Sequence, residues 1–256
     1  MSKAKILNIA SLSDSEIRDL LEAAIKKEES DNARKIDSYT PHSGVWRGKP
    51  HDGQAAFHRS SARVRLLLGG NQSGKTTAGI IEAIWTALGI HPFRKVKVPN
   101  RGRIIASLGF EEGAGNNIIP KLKEWLPQGC LRKKPKLNQA GIEATWEFNN
   151  GLILNILSGD QEDKVFEGWT GDWAWVDEPC RRQIYDATRR GLLRANGMMW
   201  FTLTPLSEPW LYNDIYEPAV SKGRTDAEVF HIDSYDNAVS HGGCIPDEAI
   251  CAREAE

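Results

Sequence analysis

The sequence predicts an α/β fold: a mostly parallel central sheet flanked by helices, with a helical arm at the N-terminus. Three observations predict it. Short apolar runs alternate with stretches whose apolar residues recur at helical spacing. One of those runs leads into "GGNQSGKT", a glycine-rich loop that opens a helix. Another, "WAWVDE", ends in two carboxylates. Strand and helix in alternation are the pattern of a sheet covered on both faces.

The elements follow in order. Residues 1–45 read as the arm: Ser13 with Glu16 forms a capping box, and Ile17, Leu20, Leu21, Ala24 and Ile25 then share one helical face. "YTPHSGVWRGKPHDG" reads as a Pro/Gly-rich connector into a domain spanning residues 46–256. "RVRLLL" is a strand bounded by Gly69-Gly70, and Ile80, Ile81, Ile84, Trp85 and Leu88 mark the helix after it. "GRIIASLGF" is a second strand. "NNIIPKLKEWLP" is a helix with Pro120 in its first turn or a little before. "IEATWEF" and "LILNILS" form a hairpin turned by Asn149-Asn150-Gly151. "WAWVDE" is a buried strand, "RRQIYDATRRGLLRANG" a helix stopping at Gly197, and "MMWFTLTP" one more buried strand. Most of the nine tryptophans fall inside these patterns and read as core.

The bulk numbers narrow the function classes. With 256 residues, 40% of them hydrophobic and 26% charged, the composition is that of a globular chain. A net charge of −1 excludes a wholesale basic nucleic-acid binder, though not a local basic patch. Cys130, Cys180, Cys244 and Cys251 form no C-x-x-C pair, so the expectation is no zinc site, no disulfide framework and a reducing cytosol. No apolar run approaches the roughly 18 residues of a membrane span, and the start is not a signal peptide.

Gly69, Gly70, Asn71, Gln72, Ser73, Gly74, Lys75 and Thr76 match G-x-x-x-x-G-K-[ST], the pattern of a loop whose backbone N–H groups wrap phosphate oxygens. The following helix points its N-terminus, with Thr77, at the same anion. Lys75 would reach the β and γ phosphates of ATP, and Thr76 would set its hydroxyl on Mg²⁺. Asp177, at the end of its strand, would hold the water shell of the Mg²⁺, and Glu178 would polarise a water for attack. Alone, such an acidic pair would as readily cap the next helix. Upstream, Gln54 in "HDGQAAFHRS" has the donor and acceptor edges that adenine needs, and Thr202 and Thr204 lie near the γ-phosphate.

Together these residues resemble the ATPase domain of bacteriophage terminase large subunits. The resemblance covers most of the chain: the charged N-terminal helix, the Gln-x-x-Phe-His element, "GGNQSGKT", "FNNGLILNILS", "FEGWTGDWAWVDEP", "FTLTP" and "SYDNAV". The phosphate loop and the Asp-Glu pair are shared with helicases; the order and wording of the last blocks are more specific. The resemblance implies a P-loop NTPase of the additional-strand, conserved-glutamate type, with Lys75 and Thr76 on phosphate and Mg²⁺, Asp177 on Mg²⁺, Glu178 as catalytic carboxylate, Gln54 at adenine, and Thr202 and Thr204 in the coupling element. It implies ATP hydrolysis that drives double-stranded DNA into a procapsid in the cytoplasm of an infected bacterium. The implied partners are the portal ring, the small terminase subunit and further copies of the chain in a ring, with no membrane. About 80 residues follow the Asp-Glu pair, too few for the nuclease domain of complete terminases, so the expectation is an excised motor domain or a chain without a nuclease.

Many terminases carry an arginine inside the phosphate loop where this chain has Asn71. The missing cation is expected from elsewhere: Lys164 in the loop before the acidic strand, or Arg101 or Arg103 on the second strand. For DNA, the candidates are the basic loop Arg132, Lys133, Lys134 and Lys136, and the helix bearing Arg181, Arg182, Arg189, Arg190 and Arg194. Two other readings remain open, a helicase or remodelling ATPase and a nucleotide-gated module that docks on a portal with little turnover.

Overall fold

The computed structural model describes residues 35–46, 49–204, 208–241 and 244–249, with Ser13, Ser15, Ile17, Arg18 and Glu22 from the arm. The Ile17 amide bonds the Ser13 carbonyl at 3.0 Å, a helical contact; Glu16 and the other apolar residues of the arm's face lie outside the described residues.

The strands are β1 (Gly44–Trp46), β2 (Lys49–His51), β3 (Val64–Gly69), β4 (Arg101–Ala106), β5 (Lys136–Leu137), β6 (Glu143–Glu147), β7 (Ile153–Ser158), β8 (Trp173–Asp177), β9 (Met198–Leu203) and β10 (Ala227–Ile232). Eight of them form one sheet in the order β10-β3-β9-β8-β4-β7-β6-β5. From β10 to β7 every neighbour is parallel; β6 and β5 continue antiparallel. All of β3 and β8 is buried, as expected where helices cover both faces. Period-two alternation divides the side chains. Leu67, Ile104, Trp175 and Trp200 face a core with the helix Lys75–Leu88, and Leu66, Leu68, Val176 and Phe201 face a second core with the helix Arg182–Leu192. Trp146, Trp173, Trp175 and Trp200 are fully buried, so the reading of tryptophans as core holds for these four.

The order explains the functional edge. β9 lies between β3, which feeds the phosphate loop, and β8, which ends in Asp177. In a parallel sheet all these C-terminal ends open on one side, where ligands bind.

Three expectations change. The connector holds the antiparallel hairpin β1–β2. The tail after β9 supplies helical turns from Pro209 to Ser221 and the edge strand β10, which pairs with β3. The helix carrying Pro120 begins six residues earlier than expected: Phe110–Ile118 winds as a π-helix and Ile119–Trp125 as an α-helix. The Ile119 amide reaches Ala114 rather than the residue four back, so the proline lacking an N–H sits where the wide winding tightens. The hairpin β6–β7 and the helix Arg182–Leu192 form as expected, although the left-handed residue ending the latter region is Asn196, one before Gly197.

A buried charged cluster lies under the phosphate-loop helix. Glu82 accepts from Arg65 at 2.7 Å, His58 Nδ1 at 2.8 Å, His91 Nε2 at 3.1 Å, and Arg94. Burial holds His58 well below its ordinary range, with Arg65, His91 and Arg94 acting in the same direction; burial and Arg65 hold His91 down to about 3. Both are therefore neutral when folded, whereas the unfolded chain protonates them near pH 6.5. Their contribution is present in full above pH 6.5 and lost as the pH falls below it. Asp177 acts oppositely: its carboxyl is raised to about 6, so the folded chain takes up that proton first. The net expectation is a loss of about 2 kcal/mol of stability between pH 7.5 and 5.5. Urea unfolding at the two values checks it; equal stability would show that the histidines are already charged when folded.

Candidate nucleotide site

Residues 69–76 leave β3 and enter the helix Lys75–Leu88. Side chains from three directions hold their carbonyls. Ser73 Oγ donates to Gly70 at 2.8 Å and Ser234 Oγ to Asn71 at 2.9 Å. Asn237 Nδ2 donates to Gln72 at 2.7 Å, and Gln54 Nε2 to Gly74 at 3.4 Å. In a trans peptide the next N–H points opposite to the carbonyl. Tying these carbonyls therefore turns the N–H groups of Asn71, Gln72 and Lys75 away from the clamps, as an anion cradle requires. Gly74 has φ +84°, and a Cβ there would stand 2.8 Å from the Gln54 amide. At Gly79 a Cβ would come within 2.5 Å of the Trp175 ring, so glycine is what lets this helix rest on β8.

The acidic pair faces this loop. Asp177 Oδ1 accepts from Thr76 at 3.2 Å and from Thr202 at 2.7 Å, and Thr202 in turn accepts the Trp175 indole N–H at 2.7 Å. Consecutive residues of a strand point to opposite faces, so Glu178 would turn away from Asp177 if β8 simply continued. It does not continue: Glu178 takes φ +66°, a left-handed conformation costing about 1 kcal/mol or more for a residue with a Cβ. The turn is pinned by its N–H on Thr202 O at 2.9 Å and by Ser107 Oγ on its own carbonyl at 2.8 Å. The Glu178 carboxylate then accepts the Thr204 amide at 2.9 Å and the Thr204 hydroxyl at 3.2 Å, and pairs with Lys75 Nζ at 3.1 Å. Thr202 on β9 and Thr204 just past its end hold one carboxylate each.

Burial dominates the shift that raises Asp177; the Thr202 hydroxyl opposes it, the Glu178 charge adds to it, and Thr76 and Lys75 oppose it. The donors here are hydroxyl and carboxylate oxygens, and among the described residues no group of three or more His, Cys, Asp or Glu side chains is arranged to hold a metal ion by itself. That set suits Mg²⁺, which keeps waters and phosphate oxygens and takes only one or two protein ligands. A cavity of about 1030 Å³ adjoins the loop at Gly69, Gly70 and Thr204.

The family "terminase large subunit, T4likevirus-type, N-terminal" matches residues 66–244, more than half of the chain. This chain belongs to the terminase large subunit family. Among solved structures it is similar to the large terminase of a thermophilic bacteriophage in complex with ADP, at 15% identity and TM-score 0.56, over 77% of this chain and 47% of that one. The ATP-gamma-S complex of the same terminase gives 14% and 0.52, with the same coverages of 77% and 47%. The Thermus phage P74-26 large terminase ATPase domain is 22% identical with TM-score 0.45, over 72% of this chain and 80% of that one. This chain thus spans about half the length of the first of these terminases. The likeness to the two nucleotide complexes of the thermophilic phage terminase shows the fold. No curated protein matches the chain.

Other candidates in this terminase chain are placed as follows. Arg103 is corrected: it is a buried strut that donates to the Phe166 carbonyl and lies 4.3 Å from the Trp169 ring, so it is not presented to a neighbour. Arg101 is exposed at the start of β4, the end of the sheet opposite the phosphate loop. Lys164 is exposed and paired with Glu162. The arginine helix is not a free basic stripe. Arg181 pairs with Asp163, Arg182 with Asp186 and Asp214, Arg189 with Asp226, and Arg190 with Glu167. In the basic loop Lys133 and Lys136 both pair with Glu147, while Arg132 and Lys134 are exposed. Gln54 is buried, its oxygen taken by the Tyr39 hydroxyl and the His42 N–H and its nitrogen turned to Gly74. Sequence reasoning missed the clamping roles of Ser234 and Asn237, whose only signal was the "SYDNAV" block, and missed Tyr39 entirely.

Proposed function

We propose that this chain is the motor domain of a terminase large subunit, hydrolysing ATP with Mg²⁺ to move double-stranded DNA into a procapsid in the host cytoplasm. The observation that carries the reading is the meeting of Lys75 with Glu178 and of Thr76 with Asp177 across two strands, at the mouth of a helix. The family and the ADP complex of a structural neighbour support it. No helix among the described residues is long and apolar enough to cross a membrane.

In this mechanism the N–H groups of the loop bind the phosphates, and Lys75 leaves Glu178 for the γ-phosphate. Thr76 and Asp177 would hold Mg²⁺, which when bound offsets charge on the β and γ oxygens. Freed of Lys75 but still gripped by Thr204, Glu178 orients the attacking water and takes its proton. Because Asn71 is uncharged, the γ-phosphate has one cation fewer than in loops bearing an arginine. A neighbouring copy in the ring supplies it, with Lys164 and Arg101 the exposed candidates. The DNA, portal and small-subunit contacts belong to the assembled motor, with Arg132 and Lys134 the basic-loop residues offered to DNA.

Steady-state hydrolysis of Mg·ATP tests the reading. Lys75→Ala should abolish nucleotide binding, and turnover per chain should rise with protein concentration. Turnover that is constant with concentration, and unchanged in a Lys164→Ala/Arg101→Ala double variant, would remove the neighbour's cation. The helicase reading predicts strand separation by the isolated chain; the docking-module reading predicts binding without turnover.

A further inference from the structure

Gln54 is the fixed end of a buried chain of hydrogen bonds. Glu82 lies on the phosphate-loop helix, and its carboxylate requires a proton on His58 Nδ1, which stands 2.8 Å away. The imidazole is neutral, so Nε2 is an acceptor. Tyr39 places its hydroxyl 3.0 Å from that nitrogen and 3.0 Å from Gln54 Oε1. Burial raises the ionisation of Tyr39, so it stays a donor, one proton serving two acceptors. The backbone N–H of His42 fills the other lone pair of Gln54 Oε1 at 3.1 Å. With its oxygen filled twice, the amide has one orientation left, nitrogen toward Gly74 O.

This arrangement does not suit a base reader. Adenine offers its amino group to an acceptor, and the only acceptor of Gln54 is occupied by the protein. It does suit a strut on the phosphate loop. We infer that Tyr39 and Gln54 are positioning residues for phosphate: Tyr39 and His42 fix the amide, the amide joins the Ala78 N–H in holding the Gly74 carbonyl, and that peptide aims the Lys75 N–H into the cradle. The segment from Lys35 to His42 thereby belongs to the phosphate-binding machinery. It is itself anchored by Ile36 in the core and by the edges of Tyr39 against Trp85 and Trp125. The inference rests on the nucleotide-binding reading and replaces base recognition by Gln54 with support of the loop.

The two roles separate by base. Dissociation constants for Mg·ADP and Mg·GDP are measured for the wild-type chain, Gln54→Ala, Gln54→Glu, Tyr39→Phe and the Tyr39→Phe/Gln54→Ala double variant. As a strut, Gln54→Ala weakens both nucleotides by the same factor, about three- to tenfold, the range of one hydrogen bond. Gln54→Glu keeps the contacts to His42 and Tyr39 but sets an oxygen against the Gly74 carbonyl, and weakens both nucleotides at least as much. Tyr39→Phe keeps the ring packing and shows the same base-independent loss. Since Tyr39 acts through Gln54, the double variant is no weaker than Gln54→Ala alone. A loss confined to ADP, no loss at all, or additive losses in the double variant would each overturn the inference while leaving nucleotide binding intact. A wild-type chain that binds neither nucleotide overturns the underlying reading as well.

Discussion

Glu178→Gln is expected to retain Mg·ATP binding and to lose turnover by about 10²- to 10⁴-fold, the usual range for a general base. The substitution is isosteric. Its remaining oxygen still accepts the Thr204 amide, and neither the backbone turn at φ +66° nor its bonds to Thr202 and Ser107 involve the carboxylate. What disappears is the negative charge, which has two uses here. At rest it pairs with Lys75, 3.1 Å away; with nucleotide bound it becomes the acceptor for a proton of the attacking water. Asp177 cannot replace it, being buried, held by two hydroxyls and directed at the Thr76 side of the site. Removing the resting pair frees Lys75, so nucleotide affinity should hold or rise while hydrolysis falls. Thr204→Val should be milder, because the backbone N–H still grips the carboxylate when the hydroxyl is gone. Single-turnover hydrolysis alongside ADP titration checks both. A Gln variant that turns over normally would leave Glu178 as a strut for Lys75 and nothing more.

How much of this was readable beforehand depends on whether it lies in a run or in a meeting. The buried strands are continuous apolar runs, and the loop is a local pattern with a local cause, so β3, β4, β8, β9, the phosphate-loop helix and the Asp-Glu pair were all legible. β10 was not, because an edge strand with only Ala227 and Ile232 buried carries little periodicity. Nor was the left-handed Glu178, since a residue before proline ordinarily favours extended backbone. Gln54 was legible only in part. Its donor and acceptor edges were legible, but whether they face a ligand or the protein depends on Tyr39 and His42, residues brought there by folding. The arginine helix shows the same limit: the sequence displays its cations, while most of the acids that pair with them, Asp163, Glu167, Asp214 and Asp226, are brought there by folding.

Glu82→Gln should destabilise the chain by about 3–5 kcal/mol, the usual cost of stripping the partner from a buried charge. Glu82 is fully buried and receives Arg65, which is fully buried, and Arg94, which nearly is. Burial already lowers both guanidinium groups to about 9, a measure of how poorly water supports their charge. A glutamine keeps the volume and one acceptor but leaves two cations facing each other without the anion between them. Its amide N–H groups also confront His58 and His91, both donors in this arrangement. The more exposed Glu228 acts on Arg65 and keeps the loss from growing further. If charge imbalance is the cause, adding Arg65→Met to Glu82→Gln should recover part of the loss, since the methionine can pack between Phe57 and Trp200, where the guanidinium now stacks. Urea unfolding at pH 8, where both histidines are neutral in either state, isolates this effect from their titration. A loss below about 1 kcal/mol, within the ordinary spread of surface substitutions, would mean that the arginines find water or other acids and that the cluster is not a stabilising core. The expected direction follows from placement: the cluster joins Arg65 on β3 and His58, on the helix Gly53–Arg59, to the helix that the phosphate loop opens, so its loss loosens the elements that present the site.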